Sequence, residues 1–338
     1  MNIFFLTQNT TPIIGQVAWV LGKIMEGIFT VIDFIGIPNI GLAIILFTIV
    51  VNLLMMPLTI KQQKFSKLSA KMNPEIQAIT AKYKNKKDNE STMAQNQEIQ
   101  AVYAKYGVSP TGSCLYLLIQ MPILFALYRV IYAMPAYVTK IGDTFRVLAD
   151  KIISVDNGNF LQNSGVESIA STVSMYGTNM TEGNMQNGII DVLNKLSSSD
   201  MAVISQHYDL ASLTYEGQLI LSNETTRGLL DTYNNFLGLN IGDSPWHLIT
   251  EAFSAGAWLV VIGALAIPVL SAVTQWLNVK LMPQQNTAAA GNDQASTMAS
   301  SMKTMNMIMP IMSAWFCFTL PSGMGLYWVA GSVVRSIQ

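Results

Sequence analysis

Residues Gly41 to Ile60 read GLAIILFTIVVNLLMMPLTI, an almost unbroken apolar run with one amide, Asn52, set into it. A helix of that length reaches about 30 Å, the thickness of a bilayer's hydrocarbon core. The stretch is therefore a membrane span, taken as residues 40–60. KQQKFSKLSAK follows it, Lys61 to Lys71, and the Lys/Arg bias puts the Ile60 end in the cytoplasm.

The rest of the chain has the same character. Of 338 residues, 51% are hydrophobic and 12% charged, with mean hydropathy +0.36, which excludes a water-soluble domain of ordinary composition. The net charge of -1 hides a separation by sign. Lys61 to Lys105 holds nine Lys against Glu75, Asp88, Glu90 and Glu98, whereas Thr139 to Glu251 holds thirteen acids against five basic residues. Those two segments lie on opposite sides of a membrane. Cys114 and Cys317 fall in apolar spans and read as packing residues; His207 and His247 are isolated. With no zinc spacing, phosphate loop or nucleophile elbow, neither metal, cofactor nor catalytic residue is expected.

Upstream, residues 1–39 form an extracytoplasmic segment without the pattern of a cleaved signal. Within it Ile13 to Ile35 is helical by pattern, with Gln16, Lys23, Glu26, Thr30 and Asp33 along one stripe. An amphipathic interfacial helix on the outer leaflet fits that stripe, and an extra span whose charges face protein competes with it. Downstream, residues 61–110 make a cytoplasmic helical hairpin. Asn73-Pro74-Glu75 gives a cap, a first-turn proline and an early acid, so one helix should start there; a second runs to Tyr106, with Gly107 as its stop. Lys61, Lys64, Lys67, Lys71, Lys82, Lys84, Lys86 and Lys87 give the hairpin its charge. It is either a solvated, orienting loop or a docking arm for ribosomal RNA or anionic lipids, with no specific nucleic acid sequence implied.

Residues 111–138 hold the second span. An acidic extracytoplasmic insert, residues 139–250, is expected to be mostly helical, with short helices over Gly188 to Leu196 and Arg227 to Phe236 and no long strand. The third span, 256–282, should break at Pro268 and turns polar at Thr274, Gln275, Asn278 and Lys280. A polar linker, 283–303, leads to spans at 304–320 and 322–338, joined at Pro321-Ser322. The fold class is thus an all-α integral membrane protein of five spans, N-terminus outside and C-terminus cytoplasmic. Six methionines from Met298 to Met312 crowd the fourth span and its approach, either as an adaptable surface or as ordinary packing.

Asn52 and Gln120 each stand eight residues from the cytoplasmic end of their span, about 12 Å deep. Gln275, Asn278 and Ser332 come into the same half. Amides at that depth either bond between helices or line a hydrated cavity. A channel or transporter would use such residues too, but it predicts an inverted repeat that the two pairs of spans do not show.

Three long stretches carry a resemblance: TIVVNLLMMPLTIKQQKFSKLSAKMNPEIQAI (Thr48 to Ile79), YAKYGVSPTGSCLYLLIQMPILFALYRVIY (Tyr103 to Tyr132) and MNMIMPIMSAWFCFTLPSGMGLYWVAGSVVRSIQ (Met305 to Gln338). Within them PLTIKQ, LIQMPI and LPSGMGLYW are similar to motifs of the YidC/Oxa/Alb membrane protein insertases. The resemblance implies a bacterial plasma-membrane protein that is not an enzyme. Its expected partners are nascent membrane proteins, the ribosome, the Sec translocon, the signal recognition particle receptor and anionic lipids. It also implies a water-filled groove open to the cytoplasm and to lipid, with Asn52, Gln120, Gln275, Asn278, Trp328 and Ser332 as its residues. Asn52 stands where the family has a groove arginine, so an attraction of about 4 kcal/mol for a unit pair at about 4 Å and an effective dielectric near 20 is missing there. Strongly acidic clients should then insert poorly, or the chain serves as an assembly factor of reduced activity.

Overall fold

The computed structural model describes residues 8, 11–83, 88–107, 112–177, 180, 181, 183–281, 308 and 310–337. The expected turn lysines Lys84, Lys86 and Lys87, the linker 283–303 and the beginning of the fourth span lie outside these residues.

The helix of the expected amphipathic segment is α1, Ile14–Phe34, which buries Ala18, Leu21, Met25, Phe29 and Ile32 at three- and four-residue spacing. It packs against the next two long helices, α2 (Ile40–Lys82) and α4 (Gly112–Tyr132). Part of its polar stripe is turned to protein: Glu26 accepts from the Thr139 amide at 2.7 Å and Asp33 from Lys140 Nζ at 2.9 Å.

Forty-three residues make α2 about 65 Å long, roughly twice a hydrocarbon core, so its second half must leave the membrane. Asn39 caps it through Leu42 N–H at 3.1 Å. Pro57 and Pro74 both lie inside it, which corrects the expected helix start at Asn73: the helix already runs there, and the proline costs it a backbone bond without ending it. Asn73 therefore does not serve as a cap, and its buried Nδ2 has no hydrogen-bond partner. The end of α2 forms a hairpin with α3, Asn89–Lys105. Two matching clasps close it. Lys82 and Tyr83 hold Glu98 at 2.5 and 2.9 Å, while Lys105 and Tyr106 hold Glu75 at 2.9 and 2.7 Å. Both clasps use the tripeptide Ala-Lys-Tyr, once at the end of each helix, so the hairpin has an approximate twofold relation.

Between α4 and α13, Trp258–Leu281, the acidic insert is folded, and its buried side chains, among them Leu148, Ile189 and Tyr208, belong to the same hydrophobic core as Met25, Phe47 and Val130 of α1, α2 and α4. Its helices are α5 Met134–Tyr137, α6 Thr139–Asp156, α7 Asn159–Asn163, α8 Glu167–Tyr176, α9 Met185–Leu193, α10 Ser198–Tyr208, α11 Leu229–Asn234 and α12 Pro245–Ser254. Strand pairs of two residues each join 214–215 to 218–219 and 235–236 to 239–240. The helix expected over 227–236 is shorter than its pattern, because Phe236 belongs to a strand. Pro268 leaves α13 unbroken, correcting the expected break. The last helices are α14, Pro310–Thr319, and α15, Ser322–Ile337. Among the described residues two stretches are long and apolar enough to cross a membrane, Ile40–Phe65 and Trp258–Lys280.

Candidate functional site

Packing along α2 and α4 is uneven. On α2, Ile40, Ala43, Ile44, Phe47, Thr48 and Val51 are buried, and the described side chains from Asn52 to Lys71 are not. On α4 the described side chains from Leu118 to Phe125 are not buried, whereas Ala126, Leu127, Val130 and Ile131 are. The bundle is thus closed on the side of the insert and loosely packed on the side of the hairpin.

Closure on the insert side is built from backbone. Ser322 donates both its N–H and its hydroxyl to the Asp243 carbonyl, at 2.9 and 2.8 Å, and Gly323 N–H donates to Ile241 O at 3.0 Å. Asn39 donates to Asn235 O at 2.7 Å. Lys195 Nζ donates to the Tyr132 carbonyl and lies 3.2 Å from that ring's centre. Burial pushes its ammonium down to about 7, against the pull of Asp191. A cavity of about 50 Å³ among Ile44, Ile131, Lys195 and Met324 is left at this seam. A larger one, about 820 Å³, is lined by the insert's Leu193, Ser198, Asp231 and Asp243.

On the hairpin side, a polar seam joins α13 to α15. Asn278, buried at 8% exposure, donates Nδ2–H to Ser332 O at 3.0 Å and accepts from Ser336 Oγ at 2.9 Å. Ser332 donates to Gln275 Oε1 at 3.3 Å, and Arg335 Nη2 donates to Ser332 Oγ at 3.2 Å. Of the six expected groove residues, Gln275, Asn278 and Ser332 are therefore brought together. Asn52 is half-buried on α2, where its Nδ2 donates to Thr48 O at 2.7 Å. Gln120 is half-buried on the loosely packed part of α4. Trp328 meets Phe316 of α14 edge-on, ring centres 6.2 Å apart. Neither cavity above is lined by any of these residues. Sequence reading passed over Arg335, Ser336 and Thr48, because an arginine near the end of a span looks like an interfacial anchor and a hydroxyl in a helix looks like a back-bond.

Lys61, Lys64, Lys67 and Lys71 are exposed at spacings of three and four, on one face of α2 beyond the apolar run. Lys82 is exposed as well but is bound to Glu98.

Curated relatives match parts of this chain. The membrane protein insertase YidC of Fusobacterium nucleatum is 39% identical over 97 residues, 28% of this chain and 44% of the relative. That of Oceanobacillus iheyensis is 37% identical over 125 residues, 37% of this chain and 46% of the relative. The membrane protein insertase MisCA of Bacillus subtilis is 44% identical over 93 residues, 28% and 35% of the two chains. The matches thus span less than half the length of each of these relatives. A family model described as "60Kd inner membrane protein" is matched far more widely, over residues 30–215 and 228–338. That match takes in α2, α4, α13 and α15, the hairpin and most of the insert, and so the chain belongs to the 60Kd inner membrane protein family.

Proposed function

We propose that this protein is a membrane protein insertase, receiving hydrophobic segments of nascent membrane proteins and releasing them sideways into the bilayer without a chemical step. The observation that carries this reading is the contrast in packing: a bundle latched on the insert side and open on the hairpin side, with amides and hydroxyls along the open part. Polar side chains there lower the cost of drawing a hydrophilic tail partway into the membrane. The client's apolar segment then gains about 25 cal/mol for each Å² it buries in lipid. The names of the relatives support the same activity.

In this reading the chain has five spans in the bacterial plasma membrane, with the insert outside and the hairpin in the cytoplasm. Asn52, Gln120, Gln275, Asn278, Trp328 and Ser332 line the client's path. The exposed lysine face from Lys61 to Lys71 docks anionic partners, the ribosome and lipid headgroups. The Sec translocon and the signal recognition particle receptor are further partners of the same route. Two measurements test it together: rescue of cells depleted of their own insertase, and photocrosslinking from position 52 to a nascent single-span client. A chain that neither rescues nor crosslinks, yet passes ions in vesicles, is a channel instead.

A further inference from the structure

Arg335 occupies the last turn of α15, where a long cation would ordinarily extend toward the interface. Its guanidinium does the reverse. Nη2 reaches back one turn to Ser332 Oγ at 3.2 Å. Nη1 lies 3.3 Å from the point where a Cβ on Gly331 would stand, and Thr48 Cγ2 of α2 lies 3.6 Å from that same point. The missing side chain at Gly331 is what leaves room for the group between the two helices. Thr48 is eight residues beyond Ile40, about 12 Å along the apolar run and one turn before Asn52. The cation is therefore set within the depth of that run, bonded to the Ser332 hydroxyl and close to the Thr48 methyl, and Arg335 is exposed on the loosely packed side of the bundle. Residues 34–74, 99–142, 252–292 and 294–338 contain no Asp or Glu, so these segments bring no negative side chain to offset the cation at this level. An ionisable side chain held at such depth is costly, which marks it as a group with a task.

We propose that Arg335 is the specificity-determining charge of the path, and that it receives acidic residues of a client's tail as the tail crosses. This rests on the insertase reading above. It also reverses the expectation drawn from Asn52: the level of Asn52 is not without charge, because a different helix supplies it, and acidic tails are accepted.

The test uses the full chain reconstituted in zwitterionic vesicles and two single-span reporters that differ only in a neutral or an Asp-rich outer tail. Arg335→Gln should slow insertion of the acidic reporter about tenfold, equivalent to ~1.4 kcal/mol, while the neutral reporter changes less than about twofold. Arg335→Lys should retain most of the preference, and the double variant Asn52→Arg with Arg335→Gln should restore it from the opposite helix. The neutral reporter also serves as the check on folding. Equal slowing of both reporters, or no slowing of the acidic one, overturns the assignment and leaves the insertase reading standing. Failure of the unaltered protein to insert even the neutral reporter removes both.

Discussion

Replacing Asn278 by Leu asks whether the polar seam holds helices together or is held wet. The substitution keeps the number and branching of side-chain heavy atoms and removes one donated bond to Ser332 O at 3.0 Å and one accepted from Ser336 Oγ at 2.9 Å. Hydrogen bonds between membrane helices average about 0.6 kcal/mol, with about 1.7 the largest, so losing two should cost about 1–2 kcal/mol. The lower end applies, because Ser336 keeps a second bond to Ser332 O at 2.9 Å and leaves no orphaned hydroxyl. The Ser332–Gln275 bond at 3.3 Å is at the long limit of useful geometry and compensates little. Reversible unfolding of the full chain in mixed micelles, followed by the fluorescence of Trp276 and Trp328, should show the loss. If the Leu variant is as stable as the original protein or more so, the seam contributes no cohesion, and Asn278 is a solvated lining whose replacement shows only in client transport.

Three other outcomes follow from particular contacts. A Cβ on Gly325 would collide with Ile267 Cγ2, so Gly325→Val should overpack the α13–α15 contact and cost about 1–3 kcal/mol, read as a lower thermal midpoint. Lys195 has a folded-state pKa pulled down by burial to about 7, so between that value and the ordinary lysine range near 10.4 the unfolded chain binds more protons. Stability should therefore rise from pH 7 toward 9, and Lys195→Met should flatten that slope. Hydrogen bonds from Lys105 and Tyr106 hold the Glu75 carboxyl below its usual value, and those from Lys82 and Tyr83 do so for Glu98. Their contribution is present above the ordinary carboxylate pKa and lost as pH falls through the lowered ones, so amide protection in α3 should drop below about pH 4. Glu75→Gln with Glu98→Gln should show that lower protection already at neutral pH.

Long apolar runs were legible as helix because so many consecutive apolar residues leave no polar turn to break them, and α2 and α13 lie where 40–60 and 256–282 predict apolar helix. Proline was overread twice. Both Pro74 and Pro268 look like punctuation, yet in each case the helix continues, since neighbouring turns and packing outweigh one missing bond. Of the seam, the amides stood out as polar residues in apolar surroundings, and that signal found Asn278 and Gln275. What periodicity could not give was direction. Arg335 folding back toward Ser332, and Asn52 bonding its own helix at Thr48, depend on which neighbour a side chain meets.

The insert, which carries no recognisable motif, meets the stretch of the helical bundle that is richest in one. Ser322 and Gly323 belong to LPSGMGLYW, and their amides are bound by the insert's Asp243 and Ile241 carbonyls. A Cβ on Gly323 would stand 3.1 Å from Ile44 Cδ1 of α2, so this corner joins the last helix, the long helix and the insert at once. First-turn amides of a helix need acceptors from outside it, and here a loop of another unit supplies them, with the Ser322 hydroxyl adding a second bond to the same oxygen. Motion of α15 relative to α2 must then pivot at that corner and grow toward the hairpin side, where described side chains of α2 and α4 are not buried. The same geometry that fixes one end of α15 gives the other end, with Ser332 and Arg335, the greater freedom. Ser322→Ala, which removes one of the two bonds to Asp243 O, should cost about 1 kcal/mol and raise hydrogen exchange first at the start of α15; exchange that rises first near Arg335 would place the pivot elsewhere.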